Sequence, residues 1–228
     1  MHQDLNSIAQ KASVAILVGG ASSRFGADKG LYHPTTQPPV IVQQVMKFRP
    51  WFSETLIICH SEQQQSAYEE IFRKFNFDPF SIKYCIDEPG GPKASIAGIR
   101  TALRSAQYPW VMTIAVDQVA IGYEHLRPLT QNIALMNNLA NKHPLVFNDP
   151  FAERALAFPS LWPLCALPAV NSAIDLGDLS INRLLSDIGA ISFEAGRNIK
   201  TLKINANTEE EALRYFSSLP NSDFPRLI

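Results

Sequence analysis

The sequence predicts one three-layer α/β domain with a mostly parallel sheet, and three observations carry that expectation. Short β-branched runs alternate along the chain with segments that repeat apolar residues at helical spacing. The strand-like runs are apolar on both faces, the pattern of strands covered by helices on either side. The chain has 228 residues, 46% of them hydrophobic, which suffices for one large core without a second domain. Residues 1–228 are therefore read as a single domain, with 1–12 as a flexible N-terminal extension.

The elements follow in order. "VAILV" (14–18) is a short buried strand that ends in glycines. "VIVQQVMKF" (40–48) repeats apolar residues as a helix does, and "TLIIC" (55–59) is again strand-like. "SEQQQSAYEEIFRKF" (61–75) is polar, with Tyr68, Ile71, Phe72 and Phe75 on one face of a helix. "IKYCID" (82–87) reads as a third strand and "SIAGIRTALRSA" (95–106) as a helix. "WVMTIAVD" (110–117) is apolar almost throughout until it meets Asp117. Region 145–170 is the least regular, with four prolines among aromatics in "FNDPFAERALAFPSLWPLCALP". "INRLLSDI" (181–188) is a helix, and "LKINANTEEEALRYFSSL" (202–219) reads as strand, turn and helix. Thr208, with Glu211 three residues on, forms a capping box that fixes where the last helix starts.

Composition narrows the function classes. A net charge of −1 gives no basic field for nucleic acid. Cys59, Cys85 and Cys165 are odd in number and widely spaced, so they read as buried free thiols in a reducing compartment. The N-terminal "MHQDLNSIAQKAS" lacks the apolar core of a signal peptide, and no run approaches the roughly 18 apolar residues of a membrane span. A soluble cytoplasmic protein that avoids membranes is expected. The histidines His2, His33, His60, His125 and His143 share no metal-ligand spacing, and none pairs locally with a serine or cysteine for nucleophilic catalysis. His143 is read as structural. Trp51, Phe52 and Trp162 lack interleaved basic residues and are read as packing groups.

The informative stretch is "AILVGGASSRFGADKG", Ala15–Gly30. In open α/β sheets ligands lie beyond the carboxyl ends of the strands, and a Gly-rich loop there can aim backbone N–H groups at phosphates. The stretch is neither GxxxxGK[ST] nor GxGxxG. Gly-Gly alone fits a plain turn equally well. Arg24, Gly26, Asp28 and Lys29 close behind it turn the balance toward an anion.

On those residues the loop resembles the signature of the MobA-type nucleotidyltransferases, LAGGxSxRMGxDK. The resemblance continues in "DEPGGPKASIAGIRTAL" (87–103), which is similar to D…GPLAGIxxAL. "WVMTIAVDQVAI" (110–121) is similar to a hydrophobic strand ending in PCDxPF, and "INANTEEEAL" (204–213) to NxNTPEEL. The first block is highly specific, the last moderately so, and the middle two are weak alone. The resemblance implies a Rossmann-like domain related to the nucleotide-diphospho-sugar transferases. It implies Mg²⁺-dependent transfer of a nucleoside monophosphate from an NTP to a phosphorylated acceptor such as molybdopterin, with release of pyrophosphate. Nucleotide contacts are expected from Leu17, Val18, Gly19, Gly20, Ala21, Ser22, Lys29 and Asp87. Arg24 and Lys29 would neutralise the triphosphate and the leaving pyrophosphate. Asp117 would hold Mg²⁺, as one carboxylate plus phosphates often does. Asp87 would read the base, and Asn205 and Asn207 would lie on the acceptor side.

Each of these polar residues has a plainer alternative: Asp117 as a strand-end cap, Asp87 as a turn former before Pro89 and Gly90, Asn207 as the residue that opens a helix. The sequence also departs from the family pattern. Gln118, Val119 and Ala120 follow Asp117 where the family has Thr or Met and then Pro, so that loop is expected to run differently. Ala152, Glu153 and Arg154 stand where many guanylyltransferases carry His-Pro-Thr. "GPKASIAGI" has three more residues than GPLAGI and partly resembles the cytidylyltransferase branch. Neither Cys59 nor His60 matches the family's Asn after the second strand. The leucine before the glycines favours GTP over CTP. A sugar phosphate as acceptor, or a nucleotide-binding relative without catalysis, stays open. The chain is expected to be a monomer or a weak oligomer.

Overall fold

Along the first strand, Val14 and Ile16 alternate with Ala15 and Leu17, and all four are buried. Such a strand must be covered on both faces, and that requirement organises the molecule. The computed structural model describes residues 11–18, 28–34, 37–133, 136, 142–152 and 154–217. Its strands are β1 (Ala12–Leu17), β2 (Glu54–Cys59), β3 (Lys83–Ile86), β4 (Trp110–Ala115), β5 (Leu145–Asp149), β6 (Arg154–Pro163) and β7 (Ile191–Glu194). They form one sheet in the order β3-β2-β1-β4-β6-β5-β7. β1 runs parallel to β2 and β4, β2 to β3, and β5 to β7, while β6 is antiparallel to both β4 and β5.

Helices cover both faces. Val14, Ile16, Ile57 and Met112 pack toward α1 (Val40–Phe48), α2 (Glu62–Lys74), α4 (Tyr123–Thr130), α7 (Ile199–Leu202) and α8 (Glu209–Ser217). Ala15, Leu17, Leu56, Ile58 and Val111 pack toward α3 (Ser95–Ser105), α5 (Leu167–Asp175) and α6 (Ile181–Asp187). Gly98 brings α3 close to the sheet, because a Cβ there would meet Leu17 Cδ2 at 3.0 Å. The expected three layers are present. No helix among the described residues is long and apolar enough to cross a membrane.

The strand order creates the crevice. From β1 the chain crosses over one face through α1 to β2, and β3 returns over the other face through α3 to β4. From β1 the chain goes on to β2 at one side and from β4 to β5 at the other, so the strand order reverses between these adjacent parallel strands, as at the ligand-binding switch point of open α/β sheets.

Several expectations need correction. Region 145–170 is not irregular: it supplies β5 and the ten-residue β6. Pro159 disguised β6, yet it falls where the β5–β6 register shifts, between the pairs Val146–Ser160 and Asn148–Ala155. No ladder N–H is needed at such a bulge. "LKIN" is not a strand: Leu202 closes α7 and residues 203–207 are irregular. Ala12, assigned to the flexible extension, is the buried first residue of β1; residues 1–10 lie outside the described residues. Cys59 and Cys85 are buried free thiols as expected, but Cys165 is exposed.

Candidate active site

The site is assembled where β1 and β4 end. Leu17 C=O accepts from Val116 N–H at 3.1 Å, and Val18 N–H donates to Ile58 C=O at 3.2 Å, so both ladders extend just past the strands. Asp117 comes next, at the lip of the crevice. Residues 28–31 return from the β1 loop to the same place: Lys29–Leu31 form a 3-10 turn whose cap is Asp28. Lys29 Nζ donates to Asp117 Oδ2 at 2.9 Å and to Asn207 Oδ1 at 3.2 Å. The Lys29 and Asp117 side chains are only 17% and 21% exposed. Three residues separated by up to 178 positions thus meet at one ammonium.

Asn207 arrives there because its segment is pinned at two points. Ala206 N–H donates to Asp117 C=O at 2.8 Å. The expected capping box is formed: Thr208 Oγ1 accepts from Glu211 N–H at 3.1 Å, and Glu211 Oε2 accepts from Thr208 N–H at 3.2 Å and Asn207 N–H at 2.8 Å. Asn205 lies on the same segment with an exposed side chain.

The loop carrying Asp117 is held by side chains that sequence reasoning did not assign. Gln44 of α1 donates to the C=O groups of Val116 and Gln118 at 3.3 and 3.1 Å. Lys47 Nζ donates to Val119 C=O at 2.6 Å. Burial pushes the Lys47 pKa down to about 8, with Glu124 pulling it back up. Gln118 is 3% exposed. It accepts from Ala115 N–H at 3.2 Å and donates to Phe158 C=O and Leu202 C=O at 3.0 and 3.3 Å.

Asp87 sits just beyond β3, on the same edge of the sheet. Its N–H donates to Cys59 C=O at 2.8 Å, and its Oδ1 accepts the Thr101 hydroxyl at 2.6 Å. Burial raises its pKa above the ordinary aspartate value, while Thr101, Arg100 and His60 pull it down. On the far side of the crevice Asp149 closes β5 with a buried carboxylate. It accepts from Lys203 Nζ at 2.7 Å and from Phe151 N–H at 3.1 Å, which ties the turn before Arg154 to the 203–207 segment.

The structure therefore brings together Lys29, Asp117 and Asn207, with Asp87 along the same edge. Leu17 and Val18 are buried at the end of β1 and bonded into the sheet. Gly19, Gly20, Ala21, Ser22 and Arg24 lie outside the described residues, as does Glu153. Lys29 is not a solvated loop lysine: its partners hold it inside the crevice. Among the described residues no three His, Cys, Asp or Glu side chains gather as a metal cage. His143 is structural, its Nδ1 lying 2.9 Å from Ile188 C=O.

Comparison with known proteins agrees with this architecture. The model of the MobA-like NTP transferase domain matches residues 14–185. The chain is 30% identical over 200 residues to a molybdenum cofactor guanylyltransferase of Pseudomonas paraeruginosa, covering 87% of this chain and 91% of that one. It is 21% identical over 211 residues to a molybdenum cofactor guanylyltransferase of Helicobacter pylori, covering 90% of each. Among solved structures, molybdopterin-guanine dinucleotide biosynthesis protein A of Archaeoglobus fulgidus superposes with a TM-score of 0.72 at 21% identity, over 91% of this chain and 100% of that chain. That superposition speaks to the fold.

Proposed function

The chain belongs to the MobA-like NTP transferase family, and from that premise we propose that it transfers the guanylyl group of GTP to the phosphate of a molybdopterin-type acceptor. The observation that carries this reading is the convergence of Lys29, Asp117 and Asn207 at the β1–β4 switch point. The names of the relatives support guanine and molybdopterin over CTP and a sugar phosphate.

The reaction exchanges one phosphate linkage for another. An acceptor phosphate oxygen attacks the α-phosphorus of GTP, the bond from that phosphorus to the α–β bridging oxygen breaks, and pyrophosphate leaves with the electron pair. Little covalent chemistry falls to the protein, so positioning and charge compensation dominate. Lys29 supplies a fixed cation for the charge that grows on pyrophosphate. To do so its ammonium must exchange Asp117 for phosphate oxygens. Asp87 offers a carboxylate that two N–H groups of the guanine edge can share, with Thr101 orienting it. Arg24, from the preceding loop, is proposed as the second cation.

The donor chemistry fits Mg²⁺. Asp117 Oδ2 and Asn207 Oδ1 are hard oxygens that already converge on one cation, the Lys29 ammonium. Asp117 would hold the ion with Asn207 beside it, and substrate phosphates and water would complete the shell. Bound there, Mg²⁺ supplies Lewis-acid stabilisation of phosphate charge.

The test is pyrophosphate release from GTP and from CTP, each with Mg²⁺, with molybdopterin and with sugar phosphates as acceptors. Release with GTP and molybdopterin is the expected result. Preference for CTP or a sugar phosphate overturns the substrate assignment, and nucleotide binding without turnover on any acceptor overturns catalysis.

A further inference from the structure

Two side chains of α2 grip both ends of the glycine-rich loop. Gln64 and Tyr68 are four residues apart and so project from one face of the helix. Both are buried, Tyr68 completely. Before the loop, Gln64 Nε2 donates to Val18 C=O at 3.2 Å. After it, the same Nε2 donates to Asp28 Oδ2 at 2.7 Å, and the Tyr68 hydroxyl donates to Asp28 Oδ1 at 2.6 Å. Gln64 is oriented in turn: its Oε1 accepts from His60 N–H at 2.9 Å, and its Nε2 lies 3.3 Å from the Tyr68 hydroxyl. Asp28 passes the constraint on, because its Oδ1 also accepts Gly30 N–H at 2.8 Å and caps the turn that carries Lys29.

Gly30 is shaped to this arrangement. A Cβ there would lie 2.5 Å from the Tyr68 oxygen and 3.1 Å from its ring carbons. The glycine after Lys29 is thus a space requirement set by the tyrosine. Burial, followed by Asp28, pushes the Tyr68 phenol well above its ordinary pKa, which keeps the hydroxyl a donor.

We propose that Tyr68 and Gln64 are positioning residues for nucleotidyl transfer, acting through Asp28 to hold the Lys29 turn at the crevice where the triphosphate must be met. The proposal rests on the assignment of Lys29 to the nucleotide phosphates. Tyr68 touches no substrate in this account. It fixes the origin from which the Lys29 side chain reaches, first to Asp117 and then to phosphate. Misplacing a charge-stabilising group by about an ångström can cost about a hundredfold in rate. A lysine on a long flexible stem can recover part of that, so a loss of about tenfold or more is expected.

The experiment uses the full chain and compares wild type with Tyr68→Phe, Gly30→Ala, the double variant and Phe72→Leu. Phe72 is buried on the same helix, with its ring against Phe77 and Tyr84, so it reports what destabilisation alone does. All are assayed well below their melting temperatures for kcat, for GTP Kd with Mg²⁺, and for hydrogen exchange of the Gly30 amide. Tyr68→Phe is expected to lower kcat about tenfold or more, to change GTP Kd less than about threefold, and to speed Gly30 exchange. Phe72→Leu should keep kcat within about twofold. Gly30→Ala should also lower kcat, and the double variant should be no worse than the poorer single, since both act through one contact. A Tyr68→Phe enzyme with unchanged kcat, or one matched by Phe72→Leu, overturns the positioning role. Unchanged Gly30 exchange overturns the clamp itself. If wild type transfers nothing from any NTP, the functional reading fails instead. The clamp is then judged by Gly30 exchange alone, and an unchanged exchange rate in Tyr68→Phe overturns it.

Discussion

Replacing Asp117 with asparagine separates the charge at the lip of the crevice from its shape. The substituted amide keeps an oxygen that can accept from Lys29 Nζ, which in the wild-type chain lies 2.9 Å from Asp117 Oδ2, and the change leaves Asn207 Oδ1 at 3.2 Å. What disappears is the carboxylate charge of a pair whose members are 17% and 21% exposed. Partly solvated pairs of this kind contribute about 1 kcal/mol or less. For a chain of 228 residues that lowers Tm by roughly 2–4 °C. A domain with about 5 kcal/mol or more of stability stays overwhelmingly folded after such a loss. The catalytic consequence is much larger. Losing one preorganised electrostatic group costs about a hundredfold or more in rate, about 2.7 kcal/mol, and a rate loss of that size cannot be assigned to unfolding. The assay is a GTP titration of both proteins with Mg²⁺ and with EDTA, beside a thermal melt of each. Wild type should bind GTP more tightly with Mg²⁺, and Asp117→Asn should not. Equal Mg²⁺ dependence in the two proteins would refute the assignment and leave Asp117 as the residue whose backbone anchors Val119 and Ala206.

The remaining predictions concern three other side chains. Lys29→Ala should cut transfer from GTP by about a hundredfold, and it should also lower Tm by a few degrees, because it leaves the Asp117 carboxylate in the crevice without its cation; normal turnover excludes Lys29 from phosphate binding. Asp87→Asn should erase discrimination between GTP and CTP in competition binding, and equal discrimination refutes base reading by Asp87. Because the Asp87 pKa is raised by burial, the folded chain holds that proton longer than the unfolded chain, and stability falls as pH rises through the raised value. Wild-type GTP affinity should accordingly fall on acidification at a higher pH than an ordinary aspartate gives. For Lys47 the sign is opposite: with its pKa at about 8 against 10.5 unfolded, the unfolded chain binds more protons between those values, so this lysine adds stability as pH rises across the window. Lys47→Met should lack that rise in chemical denaturation, and a constant stability difference between the two proteins from pH 8 to 10.5 refutes it.

Much of the fold was legible because its strands are buried twice. Residues 110–117 could be read as a core strand from apolarity alone, and the structure places β4 at Trp110–Ala115. The helix at 40–48 was legible from spacing, to the residue. The failures have definite causes. β6 contains Pro159 and ends at Pro163, so a reading by propensity rejects it, although the bulge and the strand end remove the need for their N–H groups. α4 contains Pro128, which masks its periodicity. "LKIN" alternates like a strand, but its backbone is bonded elsewhere: the Lys203 and Ile204 N–H groups donate to Lys200 and Thr201 C=O, and Leu202 C=O accepts from the Gln118 amide.

The site was legible in part, and the missing part shows why. Lys29 stands out by its cluster with Arg24, Gly26 and Asp28, Asp117 by closing an apolar strand and Asn207 by the resemblance of its segment, and the topology brings the three together. The residues that aim them carry no such signal. Gln64 and Tyr68 read as one polar and one apolar position on an ordinary amphipathic helix, and nothing local reveals that both end on Asp28. Gln118 is the sharper case. Where the family pattern has Thr or Met followed by Pro, this chain has Gln-Val, a departure that predicts a loop running differently. In the structure the Gln118 amide, 3% exposed, bridges Ala115 N–H on β4 to the C=O groups of Phe158 on β6 and Leu202 at the end of α7. A proline restrains a turn by fixing its own φ; the buried Gln118 amide restrains it by bonding to three backbone groups. The departure from the pattern therefore leaves Asp117 anchored. It also links the Asp117 loop to the segment that delivers Asn205 and Asn207, so the two sides of the crevice are held by one side chain.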